Sequence, residues 1–320
     1  MKRAGAGERY IVGIDLGGTN LRGALADDSG EILGELREPT AQGSAEVMIG
    51  QVAALVERLA EGHAVAAVGV SAAVAVDPET GAVDSTANVP GLAGVRLAAE
   101  LERAIGHPVV VANDADLAAL AEGRSGVAVG VRDYVVIAIG TGIGMGIVAN
   151  GELRRGWRGM AGEIGLVPMP DGSNYEAAAA GPALRARIAE GVAWSAGTRL
   201  SAEASLSDLI EAAELADPVA ARILAEQVRL VAWGIATAAF IVDPELVILS
   251  GGIGAVPGLL DPVRAAVGAL MSLPPRIETS ALGDRGPLLG ALDAAASLGR
   301  SASLEHGRTA RPVIDRAGSR

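Results

Sequence analysis

The sequence predicts an α/β protein made of two β-rich halves with mostly parallel pairing. Three observations carry that reading. A short apolar run at residues 11–14 ends in Asp15 and a glycine turn, and a second apolar run follows at 21–26. The same unit of strand, glycine turn and strand returns at 133–149. A third glycine cluster, at 250–254, follows an apolar run near the C-terminal end, and helical patterns alternate with strands in between.

Taken in order, residues 11–16, 21–26 and 31–37 read as three strands separated by turns. Residues 44–61 read as a helix, because Val47, Ile49, Val52, Leu55, Val56 and Leu59 recur at three- and four-residue steps. A buried strand at 65–70 leads into a small apolar stretch at 71–76 and a turn at Asp77-Pro-Glu-Thr-Gly81. After a loop at 88–91 come a helix at 95–105 and a strand at 108–111. Asn113 and Asp114 stand at that strand's end, before a helix at 117–122. This βββαβαβ order demands crossover connections and hence parallel pairing. The second half opens with a strand at 133–139, the turn Gly140-Thr-Gly-Ile-Gly144, a strand at 145–149 and a hairpin signal at Asn150-Gly151. Residues 205–242 are mostly helical, with a break at Asp217-Pro218. A strand at 246–249, a helix from residue 259 and a last helix at 287–298 follow. The two openings suggest a weak internal duplication. Residues 1–9, and the polar, Arg-rich residues 300–320, are expected to be disordered.

A chain of 320 residues has room for one large or two medium domains. Half of it is hydrophobic but only 2% is aromatic, so Ala, Val, Leu and Ile must build the core. The formal charge of −12 argues against a nucleic-acid partner held through phosphate contacts, though not against a nucleotide. The chain has no cysteine, which excludes disulfides, thiolate zinc sites and a cysteine nucleophile, and fits a cytoplasmic location. Residues 1–9 hold no apolar segment of signal-peptide type. No long uninterrupted apolar run occurs either, so no membrane partner is expected.

The three glycine turns suggest a nucleotide held between two lobes. Gly17 and Gly18 can adopt backbone angles that expose amide hydrogens to an anion. Asp15 could face a magnesium ion or a bound water, and Thr19 offers a hydroxyl. An ordinary Gly-Gly hairpin fits the same residues. Neither the P-loop pattern nor the dinucleotide fingerprint is present. Two facing turns could clamp a triphosphate, with Gly251 and Gly252 near purine and ribose. Asp114, at a strand's C-terminal end, could accept a proton from an attacking hydroxyl, and Asn113 could bind sugar hydroxyls. Asp114 could equally be a helix N-cap. Glu163 lies between glycines as a close-approach or a solvated loop carboxylate, and Glu176 could complement a helix N-terminus. The three histidines are not expected to be catalytic. Trp157, Trp194 and Trp233 are read as packing residues.

Together these segments resemble the ROK family (repressors, open reading frames, kinases), which belongs to the sugar kinase and actin-like ATPase clan. Asp15-Leu-Gly-Gly-Thr-Asn-Leu-Arg22 looks like its first phosphate motif, and residues 113–122 resemble its catalytic Asn-Asp segment. Residues 139–148 look like its second phosphate motif, 161–165 its signature glutamate loop and 249–254 its adenosine motif. The motifs occur in the family order between residues 10 and 299. The resemblance implies the two-domain actin-like ATPase and sugar kinase fold, with a duplicated ribonuclease H-like motif and the active site in the interdomain cleft. The first domain would span 10–115, completed by a helix at 287–299, and the second 116–286. The implied activity is phosphoryl transfer from ATP to a primary hydroxyl of a hexose-like substrate, with Asp114 as general base. Asn88, Asn113, Glu163 and Glu176 would hold the sugar. Asp15 would act on Mg2+ through water. Gly17, Gly18, Thr19, Asn20, Gly140, Thr141, Gly142, Gly251, Gly252 and Gly254 would hold ATP. A homodimer is carried over from the family. Family repressors add an N-terminal helix-turn-helix; with a first strand near residue 10, none is expected here.

Two departures stand out. The family's usual histidine after the signature glutamate is Leu166 here, and the cysteine-rich segment that normally follows is missing, so no zinc site is expected. Where Pro-Gly-Pro is usual, this chain has Ala73-Val-Ala75, and Val74 would narrow the space near the sugar. A hydroxyl facing leucine loses a partner, which costs about 1–3 kcal/mol. An aminosugar or C7-cyclitol is therefore entertained beside a glucose-type sugar. The same departures also fit a non-catalytic, ROK-like sugar sensor.

Overall fold

Two five-stranded sheets with the same strand order organise the chain. The structure is a computed structural model that describes residues 9–27, 29–77, 79–86, 91–195 and 197–309. The first half runs β1 (Tyr10–Leu16), β2 (Asn20–Asp27), β3 (Ile32–Pro39), α1 (Ala45–Ala60), β4 (Val65–Ala72), β5 (Val74–Val76), β6 (Val83–Thr86), α2 (Leu97–Ile105) and β7 (Val109–Asn113). Its sheet order is β3-β2-β1-β4-β7; β1 is antiparallel to β2 and parallel to β4, which in turn is parallel to β7. Strand β1 is apolar almost throughout because both of its faces are covered. Helix α1 buries Met48, Val52, Leu55, Val56 and Leu59, the stripe its periodicity calls for, whereas Val47 is half exposed.

Helix α3 (Asp114–Ser125) follows at once. The second half then runs β8 (Tyr134–Ile139), β9 (Ile143–Ala149), β10 (Glu152–Leu153), α4 (Tyr175–Ala179), α5 (Gly181–Trp194), α6 (Leu206–Glu214), α7 (Pro218–Val242), β11 (Leu246–Ser250), the single turn α8 (Gly251–Gly254), α9 (Leu260–Leu270) and β12 (Arg276–Thr279). Its order, β10-β9-β8-β11-β12, repeats the first sheet strand for strand and sense for sense. The weak duplication in the glycine turns is thus a duplication of topology.

The last helix, α10 (Gly286–Thr309), returns to the first sheet, where it packs on β1 and β4 and against α3. That approach is so close at Gly290 that a Cβ there would lie 2.0 Å from the Leu117 carbonyl oxygen. Helix α3 also packs on β8 and β9. It therefore lies between the sheets, and its N-terminus opens onto the gap between them.

Several expectations are corrected. The disorder expected from residue 300 does not begin there, because α10 continues to Thr309. Polarity suggested a tail, yet Ala, Ser, Leu, Arg and Glu are all compatible with a helix. Residues 1–8 and 310–320 lie outside the described residues. Only Trp233 packs as expected, its ring 5.0 Å from that of Tyr175; Trp157 and Trp194 are 87% and 84% exposed. Helix α7 has the length and apolarity of a membrane span, and 56% of its most apolar stretch is buried within the protein. Helices α4 and α5 and strand β12 were not anticipated. The helices are rich in Ala and Gly and show little amphipathic pattern, and β12 is a four-residue edge strand whose one buried apolar side chain is Ile277.

Candidate active site

A cavity of about 430 Å³ lies in the gap between the two halves. Its walls come from the ends of β1, β4 and β7 on one side and of β8 and β11 on the other, the carboxyl ends where open α/β sheets place ligands.

The first wall is the β1–β2 turn. Gly17 N–H donates to the Asn20 carbonyl at 3.0 Å and closes it. The carbonyls of Gly17, Gly18 and Thr19 accept from Thr40 and Gln42 behind the turn, at 2.6, 3.1 and 2.9 Å. Gly17, Gly18 and Thr19 face the cavity. Asn20 does not line it: from the start of β2 its Oδ1 accepts from Arg37 at 3.3 Å. The opposite wall is the β8–β9 turn, where Gly140, Thr141 and Gly142 line the cavity and the Gly140 carbonyl accepts from Gly181 at 2.7 Å. Gly251 reaches the cavity with φ of +81°, and a Cβ there would lie 2.5 Å from the Ile139 carbonyl oxygen. Gly252 and Gly254 are not among the lining residues. The single turn α8 carries them away, Gly252 to the surface and Gly254 into the interior.

Asp114 lines the same cavity as both turns. It is not the N-cap of α3. That position belongs to Asn113, whose Oδ1 accepts from the backbone N–H groups of Ala115 and Asp116 at 2.9 and 3.3 Å. Asp114 is the first helical residue, and its Oδ1 accepts from the Ala115 N–H at 2.8 Å. Burial pushes its carboxyl up to about 6; the Ala115 amide opposes this and the nearby Asp15 adds to it. Asn113 Nδ2 donates to the Val74 carbonyl at 3.4 Å, so the cap also holds the β4–β5 corner.

Glu163, Glu176, Val74 and Leu166 complete one end of the cavity. Burial raises the Glu163 carboxyl, and Asp114 and Glu176 raise it further. Glu176 lies in the first turn of α4, and its Oε2 accepts from the Ile143 N–H at 2.7 Å. Asn88 lies outside the described residues. Among the described residues, no group of three or more His, Cys, Asp or Glu side chains is arranged to hold a metal ion.

Arg22 was not singled out, yet it lines the cavity directly opposite Asp15 in the β1–β2 register. Its Nε and Nη2 reach Asp15 Oδ2 at 3.3 and 3.1 Å. Hairpin closure at the glycine turn fixes that cross-strand pair, so the signal was present. Burial raises the Asp15 carboxyl while Arg22 pulls it down. A magnesium ion carried by nucleotide phosphates keeps several waters and needs one or two carboxylates, and Asp15, whose Oδ2 is taken by Arg22, has Oδ1 left for one.

Comparisons with known proteins agree with this architecture. The model of the ROK family matches residues 11–297. A glucokinase of Streptomyces coelicolor is 32% identical over 309 residues, covering 89% of this chain and 96% of that protein. The bifunctional enzyme NanE/NanK of Brucella suis is 34% identical over 90% of this chain, which matches 53% of that longer protein. A crystal structure of a ROK family glucokinase from Streptomyces griseus, in complex with glucose and AMPPNP, superposes with a TM-score of 0.79 at 32% identity. It covers 90% of this chain and 99% of that one. The duplicated sheets are the actin-like, two-lobed arrangement of those kinases, and the chain belongs to the ROK family.

Proposed function

We propose that this protein is an ATP-dependent kinase that phosphorylates a primary hydroxyl of a hexose or hexose-like acceptor, with Asp114 as general base. The observation that carries the reading is the position of Asp114 on one cavity with both glycine turns. Its relatives of similar length include glucokinases, one of them crystallised with glucose and AMPPNP, a hexokinase and an N-acetylmannosamine kinase homologue.

In this reading the backbone of Gly17–Thr19 and of Gly140–Gly142 grips the phosphates, and Gly251 lets the chain approach the nucleoside. Phosphoryl transfer asks little covalent chemistry of a protein; positioning and charge neutralisation do most of the work. Asp114 has one oxygen held by the Ala115 amide. The other accepts the hydroxyl proton as the acceptor oxygen attacks. A carboxyl near 6 is a stronger base than an ordinary carboxylate and is still ionised at neutral pH. Asn113, Glu163 and Glu176, together with Asn88, hold the acceptor ring. Asp15 would hold the magnesium of MgATP, which would supply positive charge to offset that of the phosphates.

Leu166 and the Ala73–Ala75 corner make one side of the acceptor end apolar. That favours an acceptor with an apolar substituent or a missing hydroxyl on that edge, as an N-acetylated aminosugar or a deoxygenated C7-cyclitol presents. The test is ATP turnover with glucose, mannose, glucosamine, N-acetylmannosamine and C7-cyclitols. Acceptor-dependent ADP release with a phosphorylated product is expected. A folded protein that phosphorylates none of them, or hydrolyses ATP at one rate with or without acceptor, would overturn the reading.

A further inference from the structure

Asp116 lies two residues beyond Asp114 and does not line the cavity. Its side chain is only 9% exposed, and among the described residues its carboxylate has one ion-pair partner, Arg155, with Nε at 3.5 Å from Oδ2. Its backbone N–H donates to Asn113 Oδ1, so the cap that orients Asp114 also fixes Asp116. Arg155 is the second residue of the loop 154–163, which ends in Glu163.

That loop bridges the halves. It leaves the second sheet where the Arg154 N–H donates to the Ile147 carbonyl at 2.8 Å, and rejoins it where the Gly162 carbonyl accepts from Met145 at 3.0 Å. In between it crosses to the first half: a Cβ on Gly159 would lie 2.5 Å from the Val76 carbonyl oxygen. Gly156, Gly159 and Gly162 all have positive φ. Such a backbone has little intrinsic preference for one path, so its path depends on the contacts the loop makes. The Arg155 carbonyl accepts from the Ala161 N–H at 3.1 Å, so the residue paired with Asp116 also closes the loop on itself.

We propose that Asp116 is a positioning residue of the active site: through Arg155 it fastens the loop 154–163 to α3 and so sets where Glu163 stands relative to Asp114. The inference rests on the kinase reading only in naming Glu163 an acceptor ligand. The groups that face Asp116 are Arg155, Asp114 and Glu163. Burial pushes its carboxyl up to about 7; Arg155 works against this and the two acids add to it. The fastening is therefore made of a carboxylate that ionises near neutrality, and it weakens as the pH falls.

Asp116→Asn, Arg155→Gln and the double variant test this in the full chain. Arg155 is half exposed, so Arg155→Gln keeps the fold even if the buried site tolerates asparagine poorly. The first readout is tryptic cleavage of the native protein at Arg158, in the middle of the loop. Each single variant should be cut about tenfold faster, as expected of a locally opened segment, and the double no faster than either. The second readout is kinetic, with ATP and the best acceptor of the panel above. The acceptor KM should rise about tenfold while the ATP KM stays put. Cleavage at the wild-type rate in Arg155→Gln, or effects of the two substitutions that add, would overturn the proposal. Proteolysis needs no turnover, so a chain that phosphorylates nothing would defeat the kinase reading and leave this test intact.

Discussion

Arg22 and Asp284 meet across 262 residues of chain: Nη1 reaches the Asp284 carboxylate at 2.7 Å, and Nη2 reaches its carbonyl oxygen at 2.6 Å. The same guanidinium lies against Asp15. A second pair, Arg285 with Glu35, runs alongside. The segment entering α10 is thus tied to β2 and β3 at the rim of the cavity. Among the described residues that line the cavity, Arg22 is the one basic side chain.

In the kinase reading, a triphosphate drawn into this acidic protein would meet Arg22 on the wall, held there by Asp15 and Asp284. Arg22→Gln should raise the ATP KM about tenfold or more, since charge-assisted bonds to phosphate are the strong ones. The acceptor KM should move little, because Glu163, Glu176 and Asn113 do not touch Arg22. Arg22→Lys should rescue only part, as an ammonium cannot hold Asp15, Asp284 and a phosphate in one plane. Steady-state kinetics in both substrates decides it, and an unchanged ATP KM in Arg22→Gln would remove Arg22 from the phosphate site.

Asp114→Asn should lower kcat by about 10²–10⁴-fold, the usual contribution of a positioned base. Asparagine can still accept from the Ala115 amide, so the fold and nucleotide binding should persist. The pH profile gives a second check. The base works only when ionised, and its carboxyl sits at about 6. Activity of the wild type should therefore fall as the pH drops through about 6. A profile flat down to pH 4.5 would exclude Asp114 as the group that titrates.

Stability should move the opposite way. Asp114 is raised from 3.8 to about 6, so the folded state binds its proton more tightly than the unfolded chain does. Its ionised form opposes folding above about 6, and that penalty is relieved as the pH falls from about 6 towards 4. The effect is at most about 3 kcal/mol, from the size of the shift. Asp114→Asn should accordingly melt higher than the wild type at pH 8, and the gap should close below pH 5. Thermal melts at the two pH values read this directly, and equal midpoints at pH 8 would contradict it.

The elements that carry the site were legible because glycine turns at strand ends leave a local signature. Asp15, Gly17, Gly140 and Asp114 were each found from neighbours within a few positions. Arg22 was one step further, recoverable from hairpin register. Asp116 and Arg155 were not recoverable: they come together only through the path of a glycine-rich loop, which no local pattern dictates. The same limit hid α5, whose alanines and glycines carry no amphipathic stripe. It also misled at Trp157, where a large apolar side chain implied burial but three glycines in the same loop leave it in solvent.

Leu166 gives the sharpest handle on what the enzyme accepts. It lines the cavity beyond Glu163 on the same 3₁₀ turn and is 45% exposed, so a larger polar side chain has room there. Leu166→His would add a donor to the acceptor end without disturbing a packed core. If the apolar wall sets the preference, this variant should gain kcat/KM for a fully hydroxylated hexose such as glucose by about 5- to 100-fold, the worth of one satisfied buried hydroxyl. It should lose ground with whatever acceptor the wild type prefers, because a histidine facing an apolar edge is itself left unpaired. The ratio of kcat/KM values for the two acceptors is the measurement. A ratio unmoved by the substitution would place the specificity elsewhere, with Val74 the next residue to change.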